Sequence, residues 1–384
     1  MPQASESQVI RTSALHETHL RLGAILEERN GWSTPAFYGD TLFEYAAVRE
    51  GGAGVIDLSP RGRIQVSGSE AVPFLNGLIT NDMKTLAVNS WMPAAFPNVQ
   101  GRLIASVRVV RIRDEQTGQN PHPTFLLDTE AATHLQALKA IGRFTLAGDF
   151  HVTDLTDKTA QVSVQGSRAA QVLLRVLGNE VQTMPLNGAA EIIWQQTEMT
   201  VIRGTHSAED GFDLIVNAES AQGLWEALMK AGARPVGYDA LNILRIEAGQ
   251  PRYNVDMDET NVVTEALPDD AVSYTKGCYV GQEIIARIKY RGHVAKKLTG
   301  LKLDRAVKLS SGARIRSVDA KEIGTITSVT YSPHLGQTIA LGYVKYDYLA
   351  PGTDVKIARG DEEIAAQVAE LPFVRGSWYQ PLRS

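Results

Sequence analysis

Cysteine is almost absent from this 384-residue chain, in which Cys278 is the only one. A single thiol excludes an intrachain disulfide, and it cannot by itself supply a cysteine-based zinc or iron–sulfur site. Because disulfides belong to oxidising compartments, we expect the chain to work in the reducing environment of a cytoplasm.

Long apolar runs are also missing, and charge of one sign does not dominate. No stretch approaches the roughly 20 apolar residues that a membrane-spanning helix needs. The polar residues 1–8 lack the basic-then-apolar pattern of a signal peptide. The formal net charge is −5, which gives no global basic field for nucleic acid. We therefore expect no membrane association and no direct nucleic-acid binding.

Metal and dinucleotide motifs are incomplete. His16 and His19 lie in a stretch, residues 16–28, whose periodicity predicts an amphipathic helix. They have no third ligand nearby, whereas the zinc-protease motif is His-Glu-x-x-His. Gly52 and Gly54 precede a predicted strand instead of following one, which is the wrong order for a dinucleotide loop. We expect no metal site.

A repeated strand–helix pattern fills the middle of the chain. The predicted strand Ile64–Val66 leads into a Gly-Ser turn and an apolar helix, and Val162–Val164 does the same. Phe125–Leu127 and Phe212–Leu214 each lead into a further helix. Two units that occur twice in the same order indicate internal duplication, although chance similarity of common units is the alternative.

This pattern and the length predict two regions of different fold class. Residues 1–295 are expected to form an α+β body with repeats at about 60–140 and 155–235, in which helices cover one face of antiparallel sheets. Residues 296–384 contain short alternating segments separated by glycine turns and no long helical pattern. They predict a C-terminal β-barrel or sandwich.

The segment 274–297 contains the cysteine. Cys278 lies between two glycines and two residues after Lys276, and Glu283–Arg287 is typical of a short helix. A lysine and a helix N-terminus would both lower the pKa of the thiol and favour the reactive thiolate. The alternative is that a lone cysteine acts only as a small buried apolar residue.

Taken in order, short motifs along nearly the whole chain resemble the folate-binding relatives of the glycine-cleavage T protein. They include FYGD (37–40), TND (80–82), EDGF (209–212), LRIEAG (244–249) and GTITS (324–328). The stretch KGCYVGQE at Lys276–Glu283 is similar to the signature of YgfZ-type members, which are tied to iron–sulfur cluster metabolism. The corresponding segment of the aminomethyltransferases has no cysteine.

The resemblance implies a cloverleaf of three domains around a central folate pocket, with the barrel as the third leaf. It implies tetrahydrofolate as the cofactor, or a one-carbon-substituted form that can carry a polyglutamate tail. Catalytic roles fall to Cys278 and Lys276. Folate contacts fall to Glu209, Arg245, Gly277, Tyr279, Gly281, Gln282, Glu283 and Arg287.

Two of these contacts have simpler explanations. The carboxylate of Glu209 could accept two parallel N–H bonds from the pterin edge, or it could belong to a turn before the strand that starts at Phe212. Arg245 could contact folate, or it could be an ordinary arginine at a helix end.

The leading hypothesis is a tetrahydrofolate-binding protein that supports assembly or repair of iron–sulfur enzymes, tRNA-modifying ones among them. Folate and iron–sulfur client or assembly proteins would then be its partners. Ala105 and Ser106 stand where the T protein carries a catalytic aspartate, which leaves methylene transfer without an obvious general base. The alternatives are a folate-dependent aminomethyltransferase, one-carbon transferase or demethylase, with Asp82 or Glu283 as the acid, and a non-catalytic scaffold.

Cationic residues continue after the predicted helix. Arg287, Lys289, Arg291 and His293 alternate with other residues, so in a strand they would share one face. That face could hold the glutamyl tail of folate or an RNA backbone, or it could simply be solvated. We favour the polyglutamate tail because of the acidic net charge.

Overall fold

The computed structural model describes residues 9–117, 120–143 and 148–379. Within these residues, no helix combines the length and hydrophobicity needed to cross a bilayer. In chain order the strands are β1 (Arg11–Thr12), β2 (Ile25–Arg29), β3 (Trp32–Phe37), β4 (Gly54–Asp57), β5 (Gly62–Ser67), β6 (Ser90–Pro97), β7 (Leu103–Thr117), β8 (Asn120–Thr129), β9 (His151–Asp154), β10 (Thr159–Gln165), β11 (Ala189–Trp194), β12 (Thr197–Arg203), β13 (Gly211–Asn217), β14 (Arg234–Pro235), β15 (Lys296–Leu303), β16 (Arg314–Ser317), β17 (Glu322–Ser332), β18 (Gln337–Lys345), β19 (Asp354–Arg359) and β20 (Glu362–Ala369). The α-helices are α1 (His16–Arg21), α2 (Thr41–Arg49), α3 (Ala71–Leu78), α4 (His134–Gly142), α5 (Ala169–Leu177), α6 (Ala221–Lys230), α7 (Tyr238–Glu247), α8 (Val263–Ala266) and α9 (Gln282–Arg291).

Two large sheets of the same design form the body. The first has the strand order β6-β7-β8-β5-β9, and the second has the order β11-β12-β13-β10-β4, with β14 added at its edge. In the first sheet β5 leads to α3 and β8 leads to α4, while in the second β10 leads to α5 and β13 leads to α6. The α+β fold with a duplicated strand–helix body is therefore confirmed.

Alternation along the strands decides which face of each sheet the helices cover. In the first sheet Ile64 and Val66 lie opposite Leu127 and Phe125, and all four side chains are fully buried with α3 and α4. Burying each such side chain stabilises the fold by about 1.5–3 kcal/mol. The equivalent residues of the second sheet are Val162, Val164, Leu214 and Phe212.

The start of the chain folds differently from its prediction. The helix predicted over residues 16–28 ends at Arg21, and β2 begins at Ile25 and pairs with β3. Gly23 has a φ of 76°, a left-handed conformation that glycine adopts readily and that ends the helix. The helical expectation beyond Arg21 was therefore wrong.

One arginine joins the two large sheets. Arg108 of β7 donates to Asp128 of β8 at 2.6 Å and also to Asp213 of β13. Both aspartates are fully buried. Burial would raise the pKa of Asp213, but the charges of His206 and Arg108 outweigh it and hold the pKa below its usual value.

The last large unit is a closed barrel with the strand order β15-β18-β17-β16-β19-β20. Its six strands account for the short alternating segments that the sequence shows over residues 296–384. The interior is filled by inward-facing apolar side chains. Among them are Leu301, Ile315, Ile326, Val355, Ile357 and Val368. The barrel is thus confirmed, while the limits of 1–295 and 296–384 stay predictions.

After the barrel the chain returns to the body. Val374 N donates to Glu247 O of α7 at 3.1 Å, and Trp378 N donates to Ala208 O of the second sheet region at 3.2 Å. We call residues 371–379 the C-terminal segment. It fixes the barrel to the body at a second point besides the link into β15.

Candidate functional site

A cavity of about 1010 Å³ lies where the two large sheets, α7 and the barrel meet. This volume is at the upper end of the range of about 300–1,000 Å³ that is common for ligand pockets. Aromatic side chains line several walls, and two of them belong to the C-terminal segment. These aromatic residues are Trp91, Tyr238, Trp378 and Tyr379. The cavity is the candidate functional site.

Most arginines of the cavity wall are already neutralised. Arg61 and Arg108 both pair with Asp128. Arg245, which the sequence predicted as a folate contact, does line the cavity, but its guanidinium pairs with Asp256 and donates to Ser328 Oγ at 2.7 Å. Buried ion pairs of this kind fix the shape of a wall and leave few donors for a ligand.

Arg252 differs from these arginines. It lines the cavity half-buried, and its guanidinium makes no hydrogen bond or ion pair with any residue in the described part of the chain. Its carbon Cζ lies 5.9 Å from the centre of the Tyr238 ring. Burial, followed by the nearby charge of Arg245, holds the pKa of Arg252 below its usual value. Arginine nevertheless stays charged at neutral pH, so the cavity contains an unpaired cation.

A carboxylate also lines the cavity, and within the described residues it has no cationic partner. Glu130 follows β8 directly, and its Oε1 accepts a hydrogen bond from Ser106 Oγ at 3.2 Å. Its Oε2 accepts from Tyr253 N at 2.9 Å. Glu130 and Ser106 both line the cavity. Ser106 is one of the two positions where the sequence lacks the expected acid, so an acid from the neighbouring strand reaches this place.

Glu209 is fully engaged elsewhere. Its Oε1 accepts from Arg49 Nη1 at 2.6 Å, and its Oε2 accepts from Ser377 N at 2.8 Å and from Ser377 Oγ at 2.6 Å. Arg49 also pairs with Glu247, which is fully buried. Glu209 is not among the residues that line the cavity. It anchors the C-terminal segment in this structure, and its predicted contact with the pterin stays a prediction.

The cysteine segment lies outside the cavity lining. Cys278 is exposed, and its sulfur makes no hydrogen bond within the described residues. Lys276 is buried, with Nζ donating to Ile79 O at 2.8 Å and to Asn81 O at 2.6 Å. Burial lowers the pKa of Lys276 to about 8, although the charge of Asp82 opposes the shift. The ammonium therefore holds two backbone carbonyls of the body.

The rest of this segment serves the start of α9. Gly281 precedes the helix with a φ of 77°, and a Cβ there would stand 2.3 Å from Asn98 O. Tyr279 is buried, with its ring centre 5.0 Å from Lys276 Nζ. The remaining predicted contacts lie at the surface or partly buried outside the cavity. They are Gly277, Gln282, Glu283 and Arg287.

The cationic run after this point is helical, and the strand expected for it is wrong. α9 continues to Arg291 and buries Ile285 against the turn at Gly101. On a helix, Arg287 and Lys289 point about 200° apart, so they do not form the single face proposed for a polyglutamate tail. Lys289 instead lies 4.9 Å from the Tyr274 ring.

Sequence reasoning missed Glu130 and Arg252. Glu130 has a weak signal, since it is an acid directly after a strand. Arg252 follows the LRIEAG motif within the loop after α7, where a charged residue between Pro251 and Tyr253 is unremarkable. In the described parts of the chain, no three His, Cys, Asp or Glu side chains come together as metal ligands.

Comparison with known proteins accounts for this architecture. Residues 15–276 match the GCVT N-terminal domain, and residues 296–375 match the glycine cleavage T-protein C-terminal barrel domain. An aminomethyltransferase of Thermotoga neapolitana is 30% identical over 375 residues, which cover 96% of this chain and 99% of that protein. An aminomethyltransferase of Symbiobacterium thermophilum is 30% identical over 381 residues, which cover 96% of this chain and 98% of that protein.

A solved structure shares the fold. The crystal structure of glycine cleavage system aminomethyltransferase T from Bartonella henselae matches with a TM-score of 0.85 at 24% identity, covering 95% of this chain and 98% of that one. The matched domains span most of the sequence, and full-length relatives reach 30% identity. The chain therefore belongs to the glycine cleavage T-protein family.

Proposed function

We propose that this protein is a tetrahydrofolate-dependent one-carbon transferase of the aminomethyltransferase type. The observation that carries the proposal is the large cavity in a chain whose full-length relatives are named aminomethyltransferases. These relatives favour the transferase over the iron–sulfur function that the sequence put first.

The cavity suits a folate together with a second reactant. Its aromatic walls can stack on a flat pterin ring, and its volume is at the upper end of the range for ligand pockets. Arg245 lines the cavity and is held there by its ion pair with Asp256, which supports its predicted placement near the folate. The folate would be reduced tetrahydrofolate or a one-carbon-substituted form.

Glu130 can supply the general base that Ala105 and Ser106 leave missing for one-carbon transfer. A one-carbon transfer that involves an amine needs a group to take or stabilise its proton. Ala105 and Ser106 provide no carboxylate, but Ser106 holds the carboxylate of Glu130 in the same part of the cavity. A general base is thus available within the cavity wall.

The proposal predicts that tetrahydrofolate binds in this cavity. Calorimetric titration of the wild type should give saturable binding, and Ala131→Trp, which adds bulk to the lining, should weaken it at least tenfold. Cys278→Ala, outside the lining, should bind like the wild type. Formation of 5,10-methylenetetrahydrofolate from tetrahydrofolate and an aminomethyl donor then tests turnover. A wild type that binds no tetrahydrofolate would overturn the proposal.

A second candidate function rests on Cys278. The thiol is exposed at the surface and lies in the YgfZ-type motif, which supports a role in iron–sulfur assembly with a partner protein in the cytoplasm. In that case Cys278→Ala should leave folate binding intact and reduce the activity of iron–sulfur client enzymes in cells. An unchanged activity of those enzymes would remove this candidate.

A further inference from the structure

Glu130 and Arg252 both line the cavity, they carry opposite charges, and neither makes an ion pair within the described residues. The backbone of residues 252 and 253 links them, because Tyr253 N donates to Glu130 and Arg252 is the residue before it. Their charges influence each other, since Glu130 favours the charged form of Arg252. They nevertheless make no direct ion pair, although both are in the lining.

Unpaired charges inside a cavity are costly, and proteins usually keep them only for a ligand. The other arginines of this wall show the usual arrangement, since each has a carboxylate partner within the described structure. Asp256 pairs with Arg245, and it also accepts a hydrogen bond from the backbone N–H of Arg252 at 3.0 Å. The backbone of Arg252 is therefore held in place while its guanidinium stays free.

Glu130 is likewise held in place but not saturated. It accepts one hydrogen bond at each oxygen, from Ser106 Oγ and from Tyr253 N. A carboxylate has about four acceptor sites, so each oxygen can take a further N–H donor. Neither present donor carries a charge. An ammonium group from a ligand would supply the missing positive charge.

We propose that Glu130 and Arg252 form a subsite for a small zwitterion, a molecule with an amine and a carboxylate a few bonds apart. The carboxylate of the ligand would lie on the guanidinium of Arg252, which can bind it with two parallel hydrogen bonds. The ammonium of the ligand would lie on Glu130. This inference rests on the proposed function and names its amine substrate as an amino-acid-like molecule.

The length of folate argues that this subsite serves a second molecule. The negative charges of folate lie at its glutamyl end, far from its pterin, whereas Glu130 is hydrogen-bonded to the residue that follows Arg252. A ligand that satisfies both must place its own opposite charges close together. The cavity volume of about 1010 Å³ is at the upper end of the range for ligand pockets, which favours a second occupant.

The test uses N-methylglycine as the probe and two analogues that each lack one charge. Dimethylamine keeps the amine and lacks the carboxylate, and butanoate keeps the carboxylate and lacks the amine. Binding to the full-length protein is measured by ligand-observed NMR, with and without tetrahydrofolate. We expect saturable binding of N-methylglycine and at least tenfold weaker binding of both analogues.

Variants assign the binding to the two residues. Arg252→Gln and Glu130→Gln should each weaken N-methylglycine binding at least tenfold and have little effect on dimethylamine and butanoate, respectively. Arg252→Lys and Glu130→Asp keep the charges and should recover part of the affinity. Arg168→Gln, an exposed arginine outside the cavity lining, is the matched control and should bind like the wild type. Thermal unfolding of each variant checks that it is folded.

The outcomes separate this inference from the proposed function. If tetrahydrofolate binds but N-methylglycine binds no better than its two analogues, the zwitterion subsite is refuted and the folate site stands. If N-methylglycine binds and tetrahydrofolate does not, the subsite is supported and the proposed function fails. If both glutamine variants bind N-methylglycine like the wild type, the assignment to Glu130 and Arg252 is wrong.

Discussion

Lys276 gives the sharpest prediction, because burial makes its pKa in the folded chain lower than its pKa in the unfolded chain. The pKa falls from the ordinary 10.5 to about 8 in the folded protein. Between these two values the unfolded chain holds more protons than the folded one, so the free energy of unfolding must rise with pH. Below pH 8 the folded protein carries the full cost of a buried ammonium, and above 10.5 the cost is gone.

The size of this effect follows from the two pKa values. Between pH 7 and pH 9.5, Lys276 should raise the free energy of unfolding by about 2 kcal/mol. The side chain at position 276 cannot titrate in Lys276→Met. The unfolding free energy of the wild type minus that of this variant should therefore rise by that amount over the same range. Tyr279, whose pKa burial raises to about 12, affects stability only above pH 10.

Urea unfolding at half-unit pH steps measures this difference, with circular dichroism and tryptophan fluorescence as two probes of one transition. Lys289→Met is the matched control, because Lys289 is exposed on α9. It removes a lysine without removing a buried ammonium, so it shows the effect of losing a surface lysine. A pH-independent difference between the wild type and Lys276→Met would refute the argument that this ammonium is desolvated.

Three further predictions concern stability. Arg49→Met leaves two buried carboxylates without their guanidinium and should cost about 3–5 kcal/mol by urea unfolding; a loss under 1 kcal/mol would contradict the buried ion-pair cluster. Ser377→Ala removes the hydroxyl that donates to Glu209 and accepts from a backbone N–H, so trypsin should cleave faster after the exposed Arg375; an unchanged rate would argue that the C-terminal segment is held by other contacts. Gly281→Ala places a Cβ 2.3 Å from a backbone carbonyl oxygen at positive φ and should destabilise the fold by roughly 1–3 kcal/mol. A Cβ at Gly277 would meet nothing within 4 Å, so Gly277→Ala should change stability by less than about 0.5 kcal/mol. Equal effects of the two variants would contradict the close approach at Gly281.

Much of the fold could be predicted from the sequence because its signals are local. Ile64–Val66 and Val162–Val164 alternate with a period of two and are followed by glycine and helical periodicity, so strand and helix can be assigned within about 20 residues. The helix predicted over residues 16–28 was wrong after Arg21 because a single glycine, Gly23, ends it although the apolar periodicity continues. At residues 287–293, alternation of charged and other residues fits a strand, but α9 has already started with Ile285 buried, and it continues until Gly292.

The site was less readable because its contacts are long-range. The partners of Glu209 are 160 and 168 residues away along the chain, and nothing near EDGF indicates that Arg49 and Ser377 will meet there. Glu130 and Arg252 acquire meaning only when β8 and the loop after α7 come together. What makes them candidates is that neither has an ion-pair partner in the described part of the chain, and a sequence gives no sign of that.

The bridge made by Arg108 has a consequence for how the chain folds. Asp213 belongs to the second sheet, but the arginine that pairs with it, Arg108, comes from the first. If the two sheets were produced as separate polypeptides, the second would bury a carboxylate whose arginine is missing, and the first would keep an arginine with one aspartate too few. Each sheet thus depends on the other for one charge pair, and we expect the two sheets to unfold in a single cooperative step.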